Sequence, residues 1–290
     1  MSLDQIHSIA DTAIMAAAYR AQESTRNDAL FSDPLAAVLS GHRGKQIIES
    51  LPPKAFLGGW TVVIRTCIID HLITDAVATG TDTIINLGAG LDTRPYRMKL
   101  PPNLKWIEAD TGPMIEFKNK ALAEHSPGIH LERVPLDLTH DSDRKNFLSS
   151  ATRSSRQTLI LCEAVLPYLN EQVVAALAKD LHQTPTVQSW ICDYFSPAAY
   201  QYRRKSGMSA ALKNAPFLFE PPDYFGFFKN LKWSPKQVRY LPEVAKQLRR
   251  PPPFPLAMKL ATALARFIAS QEQKEKMNRY AGFVLFEKLG

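Results

Sequence analysis

Apolar runs of strand length recur along this chain with helical stretches between them, and that rhythm limits the folds open to it more than any other feature. The runs fall at residues 83–87, 104–109, 131–136, 158–162, 187–193 and 283–287. Strands alternating with helices build βαβ units and a mainly parallel sheet. The stretch after Asn170 fits a crossover helix, because Val173, Val174, Leu177 and Leu181 share one helical face and Asn170 offers a side-chain oxygen as N-cap. The expected architecture is a doubly wound α/β sheet.

Around that core the pattern changes. Ile6, Ile9, Ala13, Ile14 and Ala17 form one helical stripe and Phe31, Leu35 and Val38 another, so residues 1–80 read as an N-terminal helical layer before a core at 81–196. Between 197 and 280 the strand rhythm lapses, and prolines cluster at Pro221-Pro222 and at Pro251-Pro252-Pro253-Phe254-Pro255 before an amphipathic helix at 256–269. This segment reads as an inserted cap, with 281–290 as the closing strand. At 290 residues, 45% hydrophobic and 22% charged, the chain has enough apolar material for a full core without disulfides.

The same composition narrows the setting. Cys67, Cys162 and Cys192 cannot all pair with one another, and two of them lie in apolar runs, which fits a reducing cytoplasm. Residues 1–10 contain Asp4 and His7 and lack a secretory pattern, while Lys259 and Arg266 interrupt the apolar stretch at 256–269, so no membrane span is expected. The net charge of +7 is carried by scattered Lys and Arg with one cluster at Arg249, Arg250 and Lys259. A nucleic-acid partner is not expected from this distribution, whereas an acidic small substrate would suit it.

The strongest local signal is a strand entering a glycine turn, Ile84-Ile85-Asn86-Leu87-Gly88-Ala89-Gly90-Leu91-Asp92-Thr93-Arg94. Gly88 and Gly90 let the backbone approach a ligand where a Cβ would clash, so a nucleotide-type ligand is expected there. Thr93 stands where the dinucleotide fingerprint needs its third glycine, which disfavours NAD. The next strand ends in Asp110, 22 positions after Gly88, where a carboxylate can accept both hydroxyls of an adenosine ribose; Glu108 is the weaker candidate. Asp137-Leu138 follows the third strand, placed for an adenine amine and the face of its ring. Glu163 follows the apolar run 159–162 at what should be the carboxyl edge of the sheet, where ligands bind in this fold class.

Taken together, these residues resemble the leucine carboxyl methyltransferase family and its bacterial O-methyltransferase branch, some members of which act in polyketide pathways. The resemblance rests on Tyr19-Arg20-Ala21-Gln22-Glu23-Ser24, Leu30-Phe31-Ser32-Asp33-Pro34-Leu35-Ala36, Ile64-Arg65-Thr66 with Asp70, the segment from Asn86 to Arg94, Glu108-Ala109-Asp110, and Glu163-Ala164-Val165-Leu166-Pro167-Tyr168-Leu169. It implies a class I S-adenosylmethionine-dependent methyltransferase fold. It also implies a cofactor site of Arg65, Gly88, Gly90, Asp110, Asp137 with Leu138, and Glu163, with Arg65 pairing with the methionyl carboxylate of S-adenosylmethionine. A bond from Arg65 to Asp70 alone is the structural alternative.

The chemistry follows from that cofactor. A sulfonium carries the reactive methyl, so the protein has to align an oxygen nucleophile and needs no metal; the seven histidines are dispersed and no Cys-x-x-Cys pair exists. A carboxylate is already nucleophilic at neutral pH, and no obvious base stands out, which tilts the expectation toward carboxyl O-methylation of a small or peptide-like acceptor. Tyr19, Arg20, Tyr168, Phe195 and Tyr200 are candidates to line the acceptor pocket. A hydroxyl or phenol acceptor and a noncatalytic S-adenosylmethionine-binding sensor remain as alternatives. A nucleic-acid methyltransferase is weaker, since Pro221-Pro222-Asp223-Tyr224 follows no expected sheet strand. The oligomeric state is open.

Overall fold

A computed structural model of the chain describes residues 9–51, 57–205 and 216–289. Ile6 of the first N-terminal stripe lies outside the described residues. Seven strands form one sheet: β1 (Thr83–Leu87), β2 (Lys105–Asp110), β3 (His130–Pro135), β4 (Thr158–Cys162), β5 (Val187–Phe195), β6 (Trp233–Tyr240) and β7 (Ala281–Lys288), in the order β3-β2-β1-β4-β5-β7-β6. The first five are parallel, and β7 runs antiparallel between β5 and β6. Strand order therefore reverses between β1 and β4, which opens a crevice at their carboxyl ends.

The helices are α1 (Ile9–Ser24), α2 (Pro34–Ser50), α3 (Leu57–Ala78), α4 (Arg94–Arg97), α5 (Gly112–Ala121), α6 (Asp141–Ala151), α7 (Glu171–Gln183), α8 (Pro197–Lys205), α9 (Tyr224–Asn230), α10 (Leu241–Gln247), α11 (Leu256–Ile268) and α12 (Gln271–Asn278). Although the central strands are apolar on both faces, strand alternation sorts their side chains into two cores. Ile85, Ile107, Ile160, Trp190 and Phe286 pack with Phe147 of α6, Leu177 and Leu181 of α7, and Phe228 of α9. On the other face Ile84, Trp106, Leu159, Ile191 and Phe283 pack with Ile64, Ile68, Leu72 and Ile73 of α3 and Leu241 of α10. The Asn170 side chain accepts the Val173 N–H at 2.9 Å and caps α7 as expected. No helix among the described residues is long and apolar enough to cross a membrane.

Two expectations differ from the structure. The segment 197–280, read as a cap, contributes β6 to the sheet. Pro235, Lys236 and Gln237 gave it no strand-like pattern, because β6 is an edge strand with a register shift between Pro235 and Gln237, and edges tolerate the missing proline donor. The stripe through Phe31, Leu35 and Val38 is displaced. Helix α2 begins only at Pro34, under an Asp33 cap, so Ala36 and Leu39 turn inward and Val38 is 49% exposed.

Where β7 crosses β6, Gly282 leaves no room for a side chain, since a Cβ there would lie 2.2 Å from the Arg239 carbonyl oxygen. Gly282→Ala should lower stability by about 1–3 kcal/mol through overpacking. Gly128→Ala, with nothing within 4 Å of its Cβ position, should leave it within about 0.5 kcal/mol. Urea midpoints for both variants check this, and equal midpoints would refute the tight β6–β7 crossing.

Candidate active site

The carboxyl ends of β1 and β2 and the segment after β4 meet at the glycine turn. Gly88 (φ +64°) and Gly90 (φ +46°) occupy the left-handed region that glycine adopts without steric cost. A Cβ on Gly88 would meet Val165 Cγ2 at 2.5 Å, so the turn is pressed against the segment after β4. The Gly90 N–H donates to Asp110 Oδ2 at 2.7 Å, and the Thr111 N–H donates to Asp110 Oδ1 at 2.7 Å. Asp110 Oδ2 thus has one fixed partner and a remaining lone pair, while Oδ1 is also reached by the Thr111 hydroxyl at 3.3 Å, a rotor that a ligand can displace. Glu108 instead is buried in a pair with Lys118 Nζ and Arg133 Nε, each at 2.8 Å, which removes it from the ligand edge.

Asp137 is exposed, and its Oδ1 accepts the Thr139 N–H at 2.9 Å and the Thr139 hydroxyl at 2.7 Å; these bonds hold its carboxyl below the usual carboxylate range. It lines a cavity of about 720 Å³ with Thr111, Gly112, Leu136 and Phe147. Leu138, next in sequence, is buried.

Glu163 enters an ion network that joins the sheet to the N-terminal helices. Arg94 donates to Asp70 Oδ1 at 2.7 Å, Asp92 Oδ2 at 2.8 Å and Glu163 Oε2 at 2.7 Å. Arg97 binds Asp70 through two bonds at 2.6 and 2.8 Å. Arg65 Nε lies 2.8 Å from Glu163 Oε1, so Asp70 is not the partner of Arg65. Burial alone would push the Asp92 and Glu163 carboxyls up, but Arg94 and the neighbouring cations outweigh it and hold both below the usual range. Asp70, Asp92, Arg94 and Arg97 were missing from the sequence-derived site, although two charges inside a glycine turn, Asp92 and Arg94, were a signal that they are bonded locally.

Of the acceptor-pocket candidates, the structure brings three together. Tyr168, Phe195 and Tyr200 each pack on Phe217, at ring-centroid distances of 5.4, 5.7 and 6.4 Å. The Arg203 guanidinium lies 3.3 Å from the Phe217 centroid. Tyr19 packs against Gly58 and Gly59 at the start of α3. The Arg20 guanidinium is buried and bonded to Asp33 Oδ2 at 2.8 Å and to the Leu91 carbonyl at 2.5 Å, so it clamps α1 to the glycine turn.

Asp193, near the end of β5, was also missed. Its Oδ2 accepts the Ala164 N–H at 2.6 Å, and Ala164 has φ +56°, a strained conformation for a residue with a Cβ. Burial pushes the Asp193 carboxyl up to about 7, against the opposing pull of Arg65. Tyr224 donates its hydroxyl to the Asp193 carbonyl, and Asp223 caps α9 through the Gly226 N–H at 2.9 Å, so the Pro221-Pro222-Asp223-Tyr224 segment here has a packing role.

Comparison with known proteins bears on this arrangement. The family pattern of leucine carboxyl methyltransferases matches residues 13–182. The chain belongs to the leucine carboxyl methyltransferase family. A Streptomyces coelicolor protein named as a candidate S-adenosyl-L-methionine-dependent methyltransferase is 33% identical over 176 residues, 57% of this chain and 62% of the relative, so the match spans less than two thirds of that relative. A Frankia alni protein of the same designation is 29% identical over 261 residues, 85% of this chain and 90% of the relative. The fold matches a Thermobifida fusca protein described as a candidate methyltransferase (TM-score 0.56, 14% identity, 100% of this chain and 97% of that one). It also matches a DUF574-family protein of Streptomyces avermitilis (TM-score 0.53, 13% identity, 99% of each). The sheet is that of class I methyltransferases, and S-adenosyl-L-methionine is the cofactor that the Streptomyces coelicolor and Frankia alni relatives are named for.

The residues present fit that cofactor. Arg65 Nε is buried and makes no hydrogen bond of good geometry despite its ion pair, which leaves a donor for an incoming carboxylate. Asp110 keeps acceptor capacity for two hydroxyls beside a turn without side chains.

The same geometry makes Arg94 the electrostatic centre of the ion network. Arg94→Met should lower stability by about 3–5 kcal/mol at neutral pH, because three carboxylates lose a buried partner. Since Asp92 and Glu163 titrate below their ordinary values, the wild-type advantage is present above about pH 4 and lost as pH falls through their lowered values. Thermal unfolding across pH checks both parts; a Met variant as stable as wild type at pH 7 would contradict the network.

Proposed function

We propose that this chain is an S-adenosylmethionine-dependent methyltransferase that methylates an oxygen, with a carboxylate on a small or peptide-like molecule as acceptor. The observation that carries the reading is the series of acids at successive strand ends, Asp110, Asp137 and Glu163, with Asp110 bonded to the Gly88–Gly90 turn and Arg65 beside Glu163. Arg65 would hold the methionyl carboxylate of the cofactor, Asp110 the ribose hydroxyls, and Asp137 with Leu138 the adenine edge and face. Bound S-adenosylmethionine supplies a methyl group activated by a positive sulfur. Three free cysteines, two of them buried, fit a cytoplasmic setting.

The protein's share of the chemistry is alignment and exclusion of water. Tyr168, Phe195, Tyr200 and Phe217 offer an apolar wall for the body of an acceptor, and Arg203 sets a positive charge against it, which favours an acid. A carboxylate acceptor gives up no proton when its oxygen takes the methyl group. An alcohol or phenol must lose one. One observation favours that second reading, since Asp193 is a buried carboxyl near the same sheet edge whose raised pKa suits proton uptake near neutrality.

Asp110→Asn and Arg65→Met should each weaken S-adenosylmethionine binding about ten- to hundredfold while the chain stays folded, as titration calorimetry would measure. Unchanged affinity in both folded variants would rule out this cofactor placement.

The acceptor class is decided on the product. After incubation with methyl-labelled cofactor and a panel of organic acids and phenols, a carboxyl ester should release labelled methanol in mild alkali, whereas an ether should not. With an acid acceptor, Asp193→Asn should retain activity within about tenfold and the rate should show no rise through pH 7. A loss of about a hundredfold or more, with that rise abolished, would favour a hydroxyl acceptor instead.

A further inference from the structure

Helix α11 presents its apolar face to solvent. At about 100° per residue, Leu256, Leu260, Leu264 and Phe267 line one side, with Ile268 at its margin, and Lys259, Thr262 and Arg266 lie opposite. No residue of α11 is buried; Leu260 is 64% exposed, Phe267 84% and Ile268 75%. An apolar stripe of this size on a helix with no buried residue costs free energy in water, so a covering surface would stabilise it.

Charge indicates which surface. Residues 241–280 contain eight Lys and Arg against three Glu and no Asp, a net of +5, so this seventh of the chain carries most of the +7 total. Helix α11 itself has Lys259 and Arg266 and no acid. An apolar stripe backed by cations is the pattern of a helix lying in the interface of an anionic bilayer. A second copy of this chain would bring the same excess positive charge to the contact and be repelled.

The arm is also fixed in place. At its start Arg250 pairs with Glu23 at 3.1 Å, and the Trp60 Nε1–H donates to the Arg250 carbonyl at 2.9 Å; prolines 251–253 and Pro255 then stiffen the approach. Ser270 and Gln273 form a capping box at the corner between α11 and α12, and Arg266 donates to Asn278 across it. At its end the Ser196 N–H donates to the Tyr280 carbonyl at 3.0 Å, beside Phe195 at the carboxyl end of β5. The arm therefore returns to the sheet edge that holds the aromatic acceptor wall.

We infer that α11 docks this face of the protein on an anionic lipid surface, its apolar stripe entering the headgroup region and the 241–280 cations meeting lipid phosphates. The inference stands apart from the methyltransferase reading, because vesicle binding needs no turnover. It is tested by cosedimentation of the full chain with phosphatidylcholine vesicles containing about one third phosphatidylglycerol, against pure phosphatidylcholine, at low and high salt. Wild type should bind the anionic vesicles and lose most of that binding in high salt or on neutral lipid. Leu264→Ser with Phe267→Ser should weaken binding about tenfold or more with unchanged Tm and unchanged cofactor affinity, and Lys259→Glu with Arg249→Glu should weaken it independently. The inference is overturned if wild type does not pellet with anionic vesicles, or if the serine variant binds as well as wild type. It is likewise overturned if sedimentation velocity shows a dimer that the serine changes dissolve while vesicle binding is absent.

Discussion

Arg94 holds three carboxylates from three parts of the fold: Asp70 from α3, Asp92 from its own turn and Glu163 from the end of β4. Its side chain is 2% exposed, so each of these charges would be costly if the others were absent. Arg97 and Arg65 complete the balance on Asp70 and Glu163. A second clamp runs from Arg20 to Asp33 and Leu91, and the Thr93 hydroxyl reaches the same Asp33 at 2.6 Å. The helices before the sheet are thus bonded through charge to the residues that shape the glycine turn. Their packing and the position of the cofactor edge cannot vary separately.

That coupling explains which parts of the molecule could be read from the sequence. The glycine turn, Asp110 and Glu163 were legible because each follows a short apolar strand, and the tip of a parallel strand is a fixed address in this fold. Strand β6 was not, since an edge strand needs only one apolar face and tolerates Pro235 at an irregularity in the ladder. The bonds of Arg20 were hidden for a different reason. A cation among family-like residues looks the same in sequence whether it faces a ligand or a buried carboxylate, and only tertiary placement against Asp33 separates the two. Asp193 was hidden within an apolar run, where the pattern implied burial but gave no partner.

The sheet order divides labour between its two halves. Strands β1 to β3 carry the glycine turn, Asp110 and Asp137, all bonded by main-chain N–H groups that hold each carboxylate before any ligand arrives. Strands β5 to β7 carry aromatic packing: Phe195 beside Tyr200 and Phe217, and Tyr194 stacked on Phe225 at 5.1 Å. Hydrogen bonds to a carboxylate fix one chemical group closely, whereas apolar walls tolerate changes of shape. The two halves therefore differ in kind, one holding charged groups in fixed hydrogen bonds and the other packing rings against one another.

Glu163 and Asp193 lie at the junction of those halves, and their contrast shows how position sets charge on one sheet edge. Both are carboxyls at the carboxyl ends of neighbouring parallel strands, and the Ala164 N–H that binds Asp193 belongs to the residue after Glu163. Burial raises both, yet Glu163 has Arg94 and Arg65 within 2.8 Å and is held ionised, while Asp193 has one N–H at 2.6 Å and only the more distant pull of Arg65. Two acids on neighbouring strands are thereby separated into a fixed anion and a carboxyl that burial lifts to about 7. The first suits a site that must hold charged cofactor groups in register. The second has no close ion pair of its own, so on the same sheet edge burial rather than a cation sets its charge.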